Sequence, residues 1–186
     1  MPSGERPRAI VLDTSAVLAG MLDVPLEPTP CMTTLVLNEV RAKASRSTVD
    51  VGLGTLHRVS VMDPPPAAVE EVRKKAAELG EALRLSEADM SILALGAELR
   101  RTRGSPVEIF SDDYSLENTA SHMGLSFRSL SSRGITHVME WRYFCRGCRR
   151  EYRNVPRGGI CEICGSEIRR RPTSKKAHAR TQQPPE

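Results

Sequence analysis

The sequence predicts an α/β protein, a parallel β-sheet flanked by helices, with a small metal-bound module near its C-terminal end. Three observations predict it. Short apolar runs, beginning with Ile10-Val11-Leu12, alternate with stretches of helical periodicity, the pattern of a sheet covered on both faces. Two of those runs close on acids, in IVLDTSAVLAG and in IFSDDYSLEN. Four of the five cysteines fall within residues 145–164, as two C-x2-C pairs.

Residues 8–13 read as the first strand, and 15–22 as a short helix that stops near Asp23-Val24-Pro25. Pro25, Pro28 and Pro30 mark a loop. Residues 33–46 return to helical spacing, with Val36, Leu37, Val40 and Ala44 on one face. After a stretch without clear pattern, Arg58–Met62 reads as a second strand. Asp63 and the prolines at 64–66 end it and start a helix from Ala67 to about Leu83, because proline is tolerated in a first helical turn. Ser86 opens the next helix, and Ser86 with Asp89 matches a capping box. A turn at Gly104-Ser105-Pro106 leads to a third strand, Val107–Phe110. DYSLENTASHMG reads as a helix closed by Gly124, and LSFRSL as the last strand. These boundaries give a main domain at 8–130, a connector at 131–140, a cysteine module at 141–169, and a basic tail at 170–186. The tail is too poor in apolar residues to be expected to fold.

The bulk numbers agree. Of 186 residues, 39% are hydrophobic and only 4% aromatic, so the core must be mainly aliphatic. No apolar run approaches the roughly 20 residues that cross a membrane. The N-terminus, MPSGERPRAI, has no apolar signal core, so an intracellular, cytoplasmic protein is expected. The net charge of +4 is unevenly placed: residues 1–127 carry −5 and residues 128–186 carry +9. A basic half beside an acidic one points to a polyanion such as nucleic acid as partner, or else to a solvated tail.

In a parallel sheet every strand finishes on one edge, and ligands bind there. Asp13 closes the first strand, and Asp112 and Asp113 close the third, so all three belong on that edge. Glu39 borders the apolar stripe of its helix, with Leu35, Val36 and Ala42 as neighbours. Asp89 shares a helix face with Leu93 and Gly96. A carboxylate beside apolar neighbours pays a desolvation cost unless a positive charge stands near. Mg²⁺ or Mn²⁺ would supply that charge, since both prefer carboxylate and water oxygens. Each acid also has a local reading: Asp13 and Asp112 as helix caps, Asp89 as the partner of Ser86, Glu39 as a surface acid.

IVLDTSAVLAG, LVLNEVRAK, LSEADMSILALGAEL and IFSDDYSLENTA together resemble the four acidic motifs of the PIN-domain ribonucleases, in order, over roughly residues 8–130. The resemblance implies a Rossmann-like sheet and metal-dependent phosphodiester hydrolysis at Asp13, Glu39, Asp89 and the Asp112/Asp113 pair. In the family's T-x-D pattern the second acid of the pair is the match, so Asp113 is preferred and Asp112 is kept as a further candidate. Ser15 matches a small polar residue near the family's metal site. Ser111 stands where threonine is usual, which keeps the hydroxyl.

Cys145-Arg-Gly-Cys148 and Cys161-Glu-Ile-Cys164, with twelve residues between them, have the spacing of a four-cysteine zinc site. With four sulfur ligands no coordination position stays open, so the expected Zn²⁺ is structural. Gly147 and Gly165 suit tight turns. Arg142, Arg146, Arg149, Arg150, Arg153 and Arg157 are interleaved with Trp141, Tyr143, Phe144 and Tyr152. Arginines grip phosphates and exposed rings stack on unpaired bases; alternatively, Trp141 and Phe144 form the core of so small a module. Cys31 stands apart and reads as a buried small hydrophobe.

A PIN-like domain joined to a zinc ribbon resembles in particular the Nob-type endonucleases. That likeness implies cleavage of precursor small-subunit (16S) rRNA at its 3′ end within an assembling small subunit, with the ribbon binding RNA. Two other readings stay open at this point. One is a toxin-type PIN ribonuclease. The other is a non-catalytic RNA-binding assembly factor with a vestigial cleft.

Overall fold

Four consecutive apolar residues with no polar alternation must be covered on both faces, and Ala9–Leu12 is buried throughout as the central strand. In a computed structural model, residues 9–44, 58–104, 106–130, 137–152 and 155–177 are described. The order is β1 (Ala9–Leu12), α1 (Thr14–Leu18), β2 (Cys31–Met32), α2 (Thr34–Ala44), β3 (Ser60–Val61), α3 (Pro66–Leu79) and α4 (Glu87–Arg103). There follow β4 (Val107–Phe110), α5 (Tyr114–His122), β5 (Ser126–Arg128), β6 (His137–Cys145), β7 (Glu151–Tyr152), a 3-10 turn at Arg157–Gly159, and β8 (Ile168–Ala177).

The first five strands form one sheet in the order β3-β2-β1-β4-β5, all neighbours parallel. Chain order reverses between β1 and β4, so the loops leaving those two strands open a crevice at their C-terminal ends. α4 runs through the middle of the domain, and every residue from Met90 to Gly96 is buried. Gly96 permits this close approach, because a Cβ there would stand 3.2 Å from Ile109 Cδ1. The helix starts on the expected capping box: Ser86 Oγ accepts from the Asp89 amide, and the Asp89 carboxylate accepts from the Ser86 amide. Cys31 is buried as expected, and burial pushes its thiol up to about 11.

Three expectations need correction. β2 lies in the stretch the prolines mark as a loop; at two residues it is too short to show periodicity, yet it pairs with both β1 and β3. The residues assigned to a connector reach into a strand, since β6 already starts at His137, while 131–136 lie outside the described residues. Much of the supposed tail is also strand: β8 runs to Ala177, paired antiparallel with β6 from Cys145↔Ile168 to His137↔Ala177. A ladder is built from backbone hydrogen bonds, so Arg169-Arg170-Arg171 join it without an apolar face of their own. Residues 178–186 lie outside the described residues. The three strands β7-β6-β8 make a second sheet carrying the cysteines. It rests on the first domain where the Tyr143 hydroxyl donates to the Gly80 carbonyl, at 2.9 Å. Among the described residues no helix is long and apolar enough to cross a membrane.

Candidate active site and metal centre

The crevice between β1 and β4 gathers the acids from separate elements. Asp13 follows β1 and is 6% exposed. Its Oδ1 caps α1 by accepting from the Thr14 amide, and its Oδ2 accepts from the Ser15 and Ser111 hydroxyls at 2.7 and 2.9 Å. Glu39 reaches in from α2, where its Oε2 accepts from Thr14 Oγ1 at 2.9 Å. Asp113 follows β4 and caps α5, its Oδ1 accepting from the Leu116 amide at 2.9 Å. Ser111 joins two of these acids: its hydroxyl donates to Asp13, and its oxygen accepts from the Asp113 amide at 3.0 Å.

One oxygen each of Glu39, Asp89 and Asp113 is held by neutral donors, while Glu39 Oε1, Asp89 Oδ1 and Asp113 Oδ2 accept no hydrogen bond among the described residues. Positive charge is scarce too. Among the described residues Lys43, 3.7 Å from Glu39 Oε2, pairs with that acid, and no ion pair reaches Asp13, Asp89 or Asp113. Burial holds the Asp89 carboxyl above its ordinary value; its bonds to Ser86 oppose that, and the charges of Asp13 and Asp113 add to it. The like charges of three acids thus meet at one place. Such a donor set, oxygen-rich and short of cations, fits a hard divalent ion. No three of these carboxylates, among the described residues, come as near to one another as the cysteine sulfurs do.

Asp112 points elsewhere. Its Oδ1 accepts from Ser129 Oγ and the Leu130 amide, at 2.7 and 2.8 Å, which ties it to the end of β5. Thr14 is the residue that reading the sequence left without a role, although it stands in the quoted run. Its hydroxyl joins Glu39 to the Asp13 turn, and its signal was the hydroxyl directly following an acid at a strand end.

The four cysteine sulfurs lie within 4.8 Å of one another, with Cys145–Cys164 at 3.3 Å and Cys148–Cys161 at 3.6 Å. Tetrahedral zinc with bonds of about 2.3 Å needs sulfurs roughly 3.8 Å apart, so the set fits that ion. The two knuckles are one turn made twice. Cys145 N–H donates to Arg150 O and Cys161 N–H to Ser166 O, both at 2.9 Å; Arg149 and Gly165 donate back to Cys145 O and Cys161 O. Arg149 (φ 60°) and Gly165 (φ 70°) hold the same left-handed position. Gly147 is required for a different reason: a Cβ there would lie 2.4 Å from Ser166 Oγ. The Ser166 hydroxyl and amide pull the Cys164 thiol down to about 6, and the Tyr152 hydroxyl, 3.0 Å from its sulfur, lowers Cys161. Both shifts favour the thiolates that zinc binds.

A family model described as the PIN domain of ribonuclease matches residues 10–99, from β1 through most of α4. Endoribonuclease Nob1 of Pyrococcus abyssi is 39% identical over 168 residues, covering 90% of this chain and 96% of that protein. This chain belongs to the Nob1 family of PIN-domain endoribonucleases. Endoribonuclease Nob1 of Methanothermobacter thermautotrophicus is 34% identical, over 87% of this chain and 91% of that one. Ribonuclease VapC1 of Thermoplasma acidophilum is similar as well, 30% identical over 91% of this chain and 81% of its own length.

In this Nob1-family chain the basic residues divide. Arg142, Arg146, Arg149 and Arg150 are exposed around the cysteine module. Arg153 lies outside the described residues, as does the side chain of Arg157 in the 3-10 turn. The rings are mostly occupied. Tyr143 is buried, the Arg170 guanidinium sits 4.1 Å over Trp141, and Arg171 stands 5.7 Å over Phe144. Trp141 and Phe144 are each half-buried, with a guanidinium over one face.

Proposed function

We propose that this enzyme cleaves precursor small-subunit (16S) rRNA at its 3′ end during ribosome biogenesis in the cytoplasm, acting on the pre-ribosomal small subunit. One observation carries the reading: acids from β1, α2, α4 and β4 converge at the strand-order reversal. Among the described residues three of them keep an oxygen without a hydrogen bond, and one cation, Lys43, stands by Glu39. Asp13, Glu39, Asp89 and Asp113 would hold Mg²⁺ or Mn²⁺, with Asp112 bracing the β4–α5 turn from behind. A dication bound there supplies an activated water and charge neutralisation at the scissile phosphate. Mg²⁺ suits such a set, since it keeps several waters and binds few carboxylates directly.

The protein groups have distinct tasks. Ser111 and Thr14 fix the rotamers of Asp13 and Glu39, so the acids are set before RNA arrives. Residues 8–130 form the cutting unit, and the cysteine module holds structural Zn²⁺. Its arginines, Arg142, Arg146, Arg149 and Arg150 with Arg153 and Arg157, bind the RNA backbone, which an acidic domain grips poorly alone.

The test is a short precursor RNA spanning the mature 3′ end, incubated with Mn²⁺ or with EDTA, beside Asp13→Asn. A single cut that needs both the metal and Asp13 supports the proposal. The likeness to ribonuclease VapC1 favours a second reading, a toxin-type ribonuclease acting on other RNA. Cutting of unrelated RNA at equal rate would select that reading. No cutting of any RNA would leave an assembly factor.

A further inference from the structure

The second sheet meets the nuclease domain along α3 and α5, and the chemistry at the end of α3 is specific. Gly80 ends α3 in the left-handed region (φ 74°), and the Glu81 amide returns to Ala76 O, the double bond pattern of a Schellman cap. A Cβ on Gly80 would stand 2.6 Å from the Trp141 carbonyl oxygen, so β6 passes over this cap at van der Waals range. Tyr143, two residues along, donates its hydroxyl to Gly80 O. Opposite Tyr143 in the ladder is Arg170, whose Nη1 donates to Glu81 Oε2 at 2.7 Å. Glu81 is 0% exposed, and its other oxygen accepts from Asn118 Nδ2 at 3.0 Å. The Arg170 guanidinium is further held by the Trp141 ring.

A carboxylate taken fully out of water is costly unless paired and hydrogen-bonded. Glu81 has both its oxygens satisfied only while β8 lies against the cap. Asn118 sits on α5, the helix capped by Asp113, so the same cluster braces the element that carries a candidate metal ligand. Cys145, at the end of β6, pairs with the start of β8, so zinc held by the four cysteines would help keep Tyr143 and Arg170 in register.

We propose that the Glu81–Arg170 pair, with Tyr143 and Gly80, locks the cysteine module to the nuclease domain as one rigid gauge, and that this lock sets where along the RNA the cut falls. The proposal rests on the reading above, in which the module grips RNA and the cleft cuts it. Glu81 and Arg170 are positioning residues: they lie at the joint, and a bound RNA need not touch them. A free module would let the gripped segment wander relative to the cleft, and the cut would spread over neighbouring phosphodiesters. A locked one allows a single position.

The experiment uses the full zinc-loaded chain and its variants E81Q, R170K and Y143F. Removing one member of a buried pair leaves the other charge unmatched, so the docked-to-free ratio should fall by about 100-fold or more in E81Q. Backbone relaxation should give one rotational correlation time for both sheets in the parent chain and two in E81Q and R170K, with Y143F between. On the short precursor RNA, the parent should give one product length, and E81Q and R170K a ladder of adjacent lengths, while the total cutting rate falls less than about 3-fold. Should E81Q fail to fold, R170K carries the test from the module's side. Independent tumbling in the parent chain, a single correlation time in both variants, or an undocked module that still cuts at one position overturns the proposal. A parent chain that cuts nothing refutes the nuclease reading and the cut-setting role with it, while the correlation times still decide the lock.

Discussion

Asp13→Asn separates the work Asp13 does for the fold from the work proposed for it in catalysis. Asparagine caps a helix about as well as aspartate, so its Oδ1 keeps the Thr14 amide bond that starts α1. The Ser15 and Ser111 hydroxyls lose a charged acceptor at 2.7 and 2.9 Å, but both can rotate to accept from the new amide. Charge-assisted bonds are roughly twice as strong as neutral ones, each of which nets about 1 kcal/mol, so the loss is at most about 2 kcal/mol. Relief of repulsion offsets part of it, because Asp13 is one of the charges that raise Asp89. The net change in unfolding free energy should therefore stay within about 1 kcal/mol. Asp13→Ala should cost about 2–4 kcal/mol, through the lost cap and the stranded hydroxyl of fully buried Ser111. Urea unfolding measures both, and carboxyl NMR should show the Asp89 pKa falling in Asp13→Asn. Cleavage should drop at least about 100-fold in each. An Asn variant that loses 3 kcal/mol, or one that cuts RNA at the parent rate, would refute the argument that Asp13 is held for chemistry.

Four further outcomes follow from particular contacts. Ser111→Ala should weaken divalent-ion binding by about 10- to 100-fold, because it frees the Asp13 and Asp113 turns from one another; Ser111→Thr should restore it, and calorimetry with Mn²⁺ reads both. Arg149→Gly should stabilise the zinc-loaded module by about 1 kcal/mol by relieving a left-handed backbone, seen as slower metal loss to a chelator. Stripping zinc should melt the β7-β6-β8 sheet and leave the five-stranded sheet folded, since the Sγ set holds the former alone; hydrogen exchange resolves the two. Cys31 predicts an alkaline weakness. Its folded pKa of about 11 lies above the ordinary value of about 9.0, so its stabilisation is complete below about pH 9. It is lost as pH climbs through 11, a fall of about 2–3 kcal/mol that Cys31→Ala should abolish.

What the sequence disclosed depended on how local each signal was. β1, β4 and α4 were legible because Ile10-Val11-Leu12, Val107–Phe110 and the Ser86–Asp89 box each carry their cause within a few residues. The acids of the candidate site were legible for a similar reason, as strand-end or helix-face residues. β2 was not: two residues cannot show a period, and Cys31-Met32 is a strand only because β1 and β3 lie on either side. β8 was misjudged because composition measures burial, whereas that strand is held by its ladder. Arg170 shows the cost of reading charge alone. It looked like part of a solvated or RNA-seeking tail, yet only 19% of its side chain is exposed and it satisfies a glutamate 89 positions away. Nothing near Glu81 in sequence announces that pairing.

Cap and ligand first read as rival explanations for these acids, and at Asp89 and Asp113 the geometry makes them compatible. A carboxylate has two oxygens, and capping needs one. Asp89 at the start of α4 and Asp113 at the start of α5 each commit one oxygen to helix amides. The peptide dipoles of those helices place partial positive charge at their N-termini. The acids can therefore stand close together before any ion arrives, because amide protons, not a cation, make the cluster tolerable. That arrangement assigns the two metals different duties. Outside their own knuckles the thiolates have the Tyr152 hydroxyl at Cys161 for support, so an ion bound there would hold a fold together. The carboxylates are already held, so an ion bound there would serve the phosphate.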